Sequence, residues 1–432
     1  MIALMTEKQR FTANLPRLRR ISSPLIILIV LLTVALPCAL AAAPLKAKLI
    51  VIGPGDPIYT RWGHIGIAID ADDDYRDRFY DFGNFSPYAE NFYTNFAMGR
   101  MLYLGLSSPT DLYLEYAMQS PRSITVYPLG LGEEEVIALE KRLRWWVQPE
   151  NREYLYDYYY NNCSTIIRDV LNEVSNGALE QSALHYGGIS FRDHTRIGTH
   201  DDLPSQLFLD FLIGPGADKI ITGWETMFLP EAVAQIGAKT PFTSQDGITR
   251  NLVEDGQILA PNLRAPQPKT SPRLWPRSLM IGILLAILWS LSRQAALTAS
   301  PLAKWGAFYR GLVVILIGSF GGALGFLMVF TNHDITAGNL NIGPAFPTIL
   351  LALPFLWKRH HRCHPRRLVR REFRLALVMS INFIGLVLAM VFRITGMSSH
   401  EAQAIWGLLG PLLLVGILPL IKCQHWRWRW KR

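Results

Sequence analysis

Apolar positions follow three kinds of pattern along this chain. The first is a continuous run over residues 25–42, behind a leader carrying Lys8, Arg10, Arg17, Arg19 and Arg20. That length and flank fit a secretory signal, with Ala39-Leu40-Ala41 as a small-x-small cleavage site, or a retained anchor. The second pattern is mixed. Alternation at Ile65, Ile67 and Ile69 after Gly63 predicts a short strand, with LKAKLIVIGPG before it and RFYDFGNF after it as further strands. Ile166, Ile167, Val170, Leu171 and Val174 repeat at helical spacing up to Gly177, predicting a helix over 164–174. Helices are also expected over 111–118 and 133–147. The third pattern is five apolar segments, at 279–291, 311–330, 346–357, 375–392 and 405–421. A spanning helix needs ~20 apolar residues, so 279–291 and 346–357 are short for the task.

The expected organisation is therefore a signal peptide or N-terminal anchor over 1–43 and an exported α+β domain over 44–265. A linker over 266–277, with Pro266, Pro268, Pro272 and Pro276, leads to an all-α domain of five transmembrane helices over 278–432. Charge tests this independently. The chain carries +9 overall, yet residues 44–272 hold 19 Lys/Arg against 30 Asp/Glu, a net of −11, and the remainder nets +20. The largest polar segment is acidic, which argues against nucleic acid as a partner. Basic residues instead flank apolar segments. Arg293, Lys304 and Arg310 lie in one connection, 331–344 has no Lys or Arg, 358–374 has eight, and 393–403 has one. That alternation is the positive-inside pattern for five spans that start outside and end inside. It makes the chain a multi-pass membrane protein whose acidic domain is exported. The RHHRCHPRR loop, with His360, His361, Cys363 and His364, reads as orientation charge, because its ligands are too tightly spaced for zinc. The WRWRWKR tail reads as an interfacial anchor. The acidic turn 70–74 lacks the glycine of a calcium loop, so neither metal nor cofactor is expected.

Topology sorts the four cysteines. Cys38 falls in the signal or anchor, Cys363 and Cys423 fall inside, and Cys163 alone lies in the exported domain. A lone exported thiol has no disulfide partner and is a candidate nucleophile. It sits in YYYNNCSTIIRDVLNEV at the head of the expected helix, where free N–H groups stabilise a thiolate and can hold an oxyanion. Asn162 and Thr165 are candidates for supporting the oxyanion or the helix start. His64, in RWGHIGIAID at a strand entrance, is the candidate base, while His185, His194 and His200 read as loop or surface residues. A Cys on a helix start facing a His on a strand is the papain-like arrangement. Its third polar member would be Asp81 or Asn84, on the neighbouring strand.

WGHIGIAI, YDFGNF followed by NFYTNFAMG, and NNCSTIIRDVL resemble the N-terminal periplasmic domain of the Lnb-type lipoprotein N-acyltransferases. The C-terminal segments, including the outer-loop sequence TNHDITAGNLNI, are similar to that family's membrane domain. The resemblance implies transfer of an acyl chain from the sn-2 position of a diacylglyceryl-lipoprotein to its own N-terminal amine, with Cys163 and His64 as the catalytic pair. Membrane lipid or lipoprotein would be the partner, and the setting a bacterial inner membrane with the exported domain facing the periplasm. His333, Asn339 and Asn341 of the outer loop are either loop-stabilising residues or part of a membrane-side site beneath the thiol. Bilayer contact is expected through PYAENFYTNFAMGRMLYLG. A cysteine hydrolase of peptidoglycan peptides or lipid esters would use the same pair, and a non-enzymatic membrane scaffold would leave Cys163 buried and remote from His64.

Overall fold

The computed structural model describes residues 45–71, 76–298, 300–357 and 365–429. The expected signal or anchor, the His360–His364 cluster and most of the acidic turn lie outside the described residues, as do the side chains of the basic tail.

Seven antiparallel strands form the main sheet: β1 (Lys46–Ile52), β2 (His64–Asp70), β3 (Arg78–Asn84), β4 (Leu102–Pro109), β5 (Ile124–Pro128), β6 (Glu153–Leu155) and β7 (Gln257–Ala260). Their order is β7-β5-β1-β2-β3-β4-β6. The helices used below are α1 (Phe92–Ala97), α2 (Thr110–Met118), α3 (Glu133–Trp146), α4 (Cys163–Val174), α5 (Phe191–Gly198) and α6 (Leu203–Leu212). After them come α7 (Trp275–Leu297), α8 (Ala303–Phe330), α9 (Leu353–Trp357), α10 (Pro365–Ile394) and α11 (Gln403–Arg429). The alternation at Ile65, Ile67 and Ile69 puts all three on one sheet face, where they meet Ile166, Ile167, Val170, Leu171 and Val174 of α4 together with Val136, Leu139 and Leu143 of α3. Burying each such side chain contributes about 1.5–3 kcal/mol. The opposite face carries Ile50, Ile52, Ala68 and Phe79 beneath α2.

Four helices are long and apolar enough to cross a membrane: Trp275–Leu297, Ala303–Phe330, Arg367–Ile394 and Gln403–Ile421. The linker is shorter than expected, since α7 begins at Trp275 and accommodates Pro276 in its first turn. The segment 346–357, expected as one transmembrane helix, is a correction in its backbone only. It is a 3-10 turn over Pro347–Ala352 followed by the five-residue α9, not one helix. Pro344, Pro347 and Pro354 withhold the N–H groups that a continuous helix needs. This segment runs antiparallel beside α10. Gly343 abuts Gly385 so closely that a Cβ would lie 2.6 Å from the Gly385 oxygen. Asn382 Nδ2 donates to the Pro344 and Phe346 carbonyls at 3.1 and 2.9 Å, and Arg371 Nε donates to the Phe355 carbonyl at 3.1 Å. Side chains of α10 thus satisfy backbone that irregular geometry would leave unpaired.

Candidate active site

The amphipathic packing of α4 on β2 carries the first residue of the helix, Cys163, to the first residue of the strand, His64. The helix start is fixed by a capping box. Asn162 Oδ1 accepts from the N–H groups of Ser164 and Thr165 at 2.8 and 3.0 Å, and Thr165 Oγ1 accepts from Asn162 N–H at 2.8 Å. Asn162 Nδ2 is occupied by the Tyr158 and Phe228 carbonyls. Asn162 and Thr165 therefore serve the helix start, and neither side chain is free for an oxyanion. The Cys163 N–H, at the head of the turn, has no acceptor among the described residues. Approach to His64 needs Gly63, whose φ is +85° and whose Cβ would lie 2.8 Å from the Ile52 oxygen.

Asp81 is the third member. Its Oδ2 lies 3.0 Å from His64 Nε2, while its Oδ1 accepts from Asn84 Nδ2 at 2.8 Å. Asn84 stands one step behind, orienting the carboxylate. Strand geometry explains the pairing. Asp81 is opposite Gly66 in register, so His64 is its diagonal neighbour, within reach of an imidazole. Residues 81 and 84 would point to opposite faces in a regular strand. The register shift between Phe82 and Asn84 inserts Gly83 at φ +121° and brings them together. Gly83 also admits the thiol, since a Cβ there would already touch Cys163 Cβ and His64 Cε1, both at 3.6 Å. Burial disfavours a charged His64, but the Cys163 charge and the Asp81 carboxylate, which accepts from the ring, outweigh it, pushing its pKa up to about 10. Tyr103 and Tyr156 lie beside the same charge, and burial followed by Cys163 raises both phenols. Cys163 itself is half-buried and forms no disulfide.

The outer-loop residues lie elsewhere. Asn339 and Asn341 are buried, and their amides donate to the carbonyls of Asp210, Phe211 and Leu212. Those are the last carbonyls of α6, which have no partner within their own helix. His400 completes the arrangement, its Nε2 3.1 Å from the Ile213 oxygen while Nδ1 accepts from Leu340 N–H. Arg192, fully buried, reaches the Ile213 and Gly214 carbonyls and the Asp218 carboxylate. Arg196 joins Asp210 to Glu401. The loop residues are thus a helix cap supplied from the membrane-side loops, not a lining beneath the thiol. His333 is separate again, its Nε2 3.1 Å from the Phe96 oxygen. His194, expected in a loop, lies within α5, where burial lowers its pKa to about 4. His400, Arg192 and the capping role of the loop left no periodic signal in the sequence.

Two family models match the chain: the Lnb N-terminal periplasmic domain over residues 39–196, and the Lnb transmembrane domain over 275–394. The chain belongs to the Lnb family. It is a membrane protein with a periplasmic domain, and the Cys163–His64–Asp81 cluster falls wholly inside the first matched region. In this Lnb-family chain both matched regions keep the order of the family, periplasmic domain first. No curated protein and no solved structure matches it.

Proposed function

We propose that this chain is a membrane-anchored cysteine acyltransferase that moves an acyl chain from a lipoprotein diacylglyceryl group to the N-terminal amine through a thioester on Cys163. The observation that carries the reading is the thiol on a capped helix start, placed over Gly83 beside a His64 that is itself held by Asp81. In the first half-reaction the Cys163 thiolate attacks the ester carbonyl. The Cys163 N–H lies where it can donate to the resulting oxyanion. Collapse breaks the carbon–oxygen bond, and the His64 imidazolium gives its proton to the departing glyceryl alkoxide. In the second, the amine attacks the thioester, neutral His64 takes its proton, and collapse returns the thiolate–imidazolium pair. Atoms and charge balance over the cycle, and no cofactor is needed. Asp81 stabilises the imidazolium and fixes the ring, as the third member of such a site does. The same geometry supports the papain-like assignment of the exported domain.

The membrane reading follows. The end of α8 meets the sheet domain through Asn332 N–H on the Met98 carbonyl, and the loop after α10 meets it through Glu401 on Arg196. Both helix ends then lie on the periplasmic side. The segment 340–357 between them makes the fifth passage of a five-span domain in the inner membrane, despite its irregular backbone.

The test expresses wild type, Cys163→Ala and His64→Ala in a bacterial host lacking its own N-acylating enzyme. Mass spectrometry of lipoprotein N-termini should show the acyl chain moved to the amine with wild type only. Unchanged lipoproteins with wild type would overturn the acceptor assignment and favour a hydrolase of lipid or wall esters and amides.

A further inference from the structure

Helix α1 buries none of its side chains, and Tyr93 on it is 75% exposed. The stretch 91–99, NFYTNFAMG, carries no charge. Yet α1 is held firmly. Asn332 N–H donates to the Met98 carbonyl at 2.9 Å, and the His333 ring meets the Phe96 carbonyl. Gly99, at φ +73°, lies so close that a Cβ would be 2.6 Å from the Asn332 carbonyl carbon. These contacts tie α1 to the residues that immediately follow α8, whose last turns expose Phe326, Val329 and Phe330 on a helix long and apolar enough to cross a membrane. From α1 inward the aromatic rings are continuous. Phe96 meets Phe92 at 6.1 Å between centroids, Phe92 meets Phe85 at 5.7 Å, and Phe85 meets Tyr103 at 5.2 Å. Tyr103 stacks on Tyr156 at 4.2 Å, and Tyr156 meets Tyr158 edge-on at 5.8 Å. The rungs nearest the nucleophile are Tyr103 and Tyr156, which pack against the same core cluster as Cys163 and feel its charge.

We propose that this aromatic ladder is the track along which one acyl chain leaves the outer leaflet of the membrane and reaches the thiol. It rests on the acyl-transfer reading above and adds where the chain lies. An uncharged, unburied helix would be costly to leave in water but is suited to the bilayer interface, where aromatic side chains concentrate. Its continuity with the exposed end of α8 favours lipid over a protein partner as the occupant. Tyr103 and Tyr156 stack on each other, so the chain runs along the ring edges and outer faces that this stack leaves open. The tie through Asn332 and His333 holds the outer end of the track at the membrane surface.

The experiment uses full-length Cys163→Ala, which does not turn over, in vesicles of phosphatidylethanolamine and phosphatidylglycerol. A trace phospholipid bears a diazirine midway along one acyl chain. After illumination, mass spectrometry should find label on Phe92, Phe96, Tyr103 or Tyr156. Label confined to α7, α8, α10 and α11 would overturn the track. A second arm follows acylation of Cys163 in the wild-type chain by p-nitrophenyl esters. The dodecanoyl ester should outpace the butanoyl ester by ~10-fold or more. In Phe92→Ser/Phe96→Ser the ratio should fall below ~3-fold, and an unchanged ratio refutes the assignment. Iodoacetamide alkylation of Cys163 checks that this variant keeps its site, which is expected because α1 has no buried side chain to lose. If neither ester acylates wild type, the acyl-transfer reading fails, and the diazirine result still decides whether lipid occupies the ladder.

Discussion

Replacing Asp81 by Asn keeps the shape of the site and removes one charge, so its effect on His64 can be worked out directly. The Asp81 carboxylate lies 3.0 Å from His64 Nε2, and its other oxygen is already held by Asn84. A hydrogen bond to a charged group contributes about 1.5–3 kcal/mol, and one pKa unit corresponds to about 1.36 kcal/mol. The substitution should therefore lower the His64 pKa by ~1–2 units from its value of about 10. The sign follows from charge. Asp81 favours the imidazolium, so without it His64 loses its proton at lower pH. Because the folded pKa lies above the ordinary 6.5, the stability that His64 contributes is complete below pH 6.5 and is lost as pH rises through about 10. In Asp81→Asn that loss begins earlier. Alkylation of Cys163 by iodoacetamide across pH 6–11 reads the same ionisation without any substrate. Following the Cys163 peptide by mass spectrometry separates it from Cys38, Cys363 and Cys423. Wild type should show an alkaline step near 10, and Asp81→Asn should show it ~1–2 units lower. A step that stays near 10 in the variant would refute the assignment of Asp81 as the residue that holds the His64 proton.

Three other outcomes test the frame around the site. Asn162→Ala removes the α4 cap and strands the Ser164 and Thr165 N–H groups. It should cost about 1–2 kcal/mol in thermal or denaturant unfolding and slow Cys163 alkylation as the helix start frays. Asn339→Leu leaves the Leu212 carbonyl at the end of α6 without its donor, because Asn341 and Arg192 still reach Phe211 and Asp210, at about 1–3 kcal/mol. Hydrogen exchange over residues 203–214 should quicken, while thiol alkylation keeps its pH profile. Burial, and then the charges of Arg192 and Arg196, hold the His400 pKa down to about 3. The unfolded imidazole takes up its proton first, so stability at this contact is full above pH 6.5 and is lost as pH falls toward 3. Protection of the 396–402 amides, taken relative to the intrinsic exchange rate at each pH, should be lower at pH 5 than at pH 7, and equal protection at both would contradict the buried neutral ring.

Local pattern was enough for several features. Alternation in β2 and helical spacing in α4 are properties of consecutive residues, and each commits one apolar face to the other. Because His64 opens the strand and Cys163 opens the helix, that packing alone brings the two together, which is why the sequence nominated both. Long apolar runs likewise identified the helices from Trp275 onward, since lipid demands apolar length whatever their neighbours are. The choice between Asp81 and Asn84 was different. A regular strand points them to opposite faces, and only pairing with β4 reveals the extra residue at Gly83 that turns Asn84 back onto Asp81. The fate of 346–357 depended on Asn382 and Arg371 of another helix, which supply the hydrogen bonds that prolines deny it. Asn339 could not be read as a cap because the carbonyl it serves, on Phe211, lies 128 residues away. The sequence by itself determined which segments bury apolar faces and which residues head them, because those depend on spacing along one chain. Only the tertiary structure decided which polar groups complete one another, because a hydrogen bond depends on distance in space and direction, and a bulge or a helix end can supply either without leaving a periodic trace.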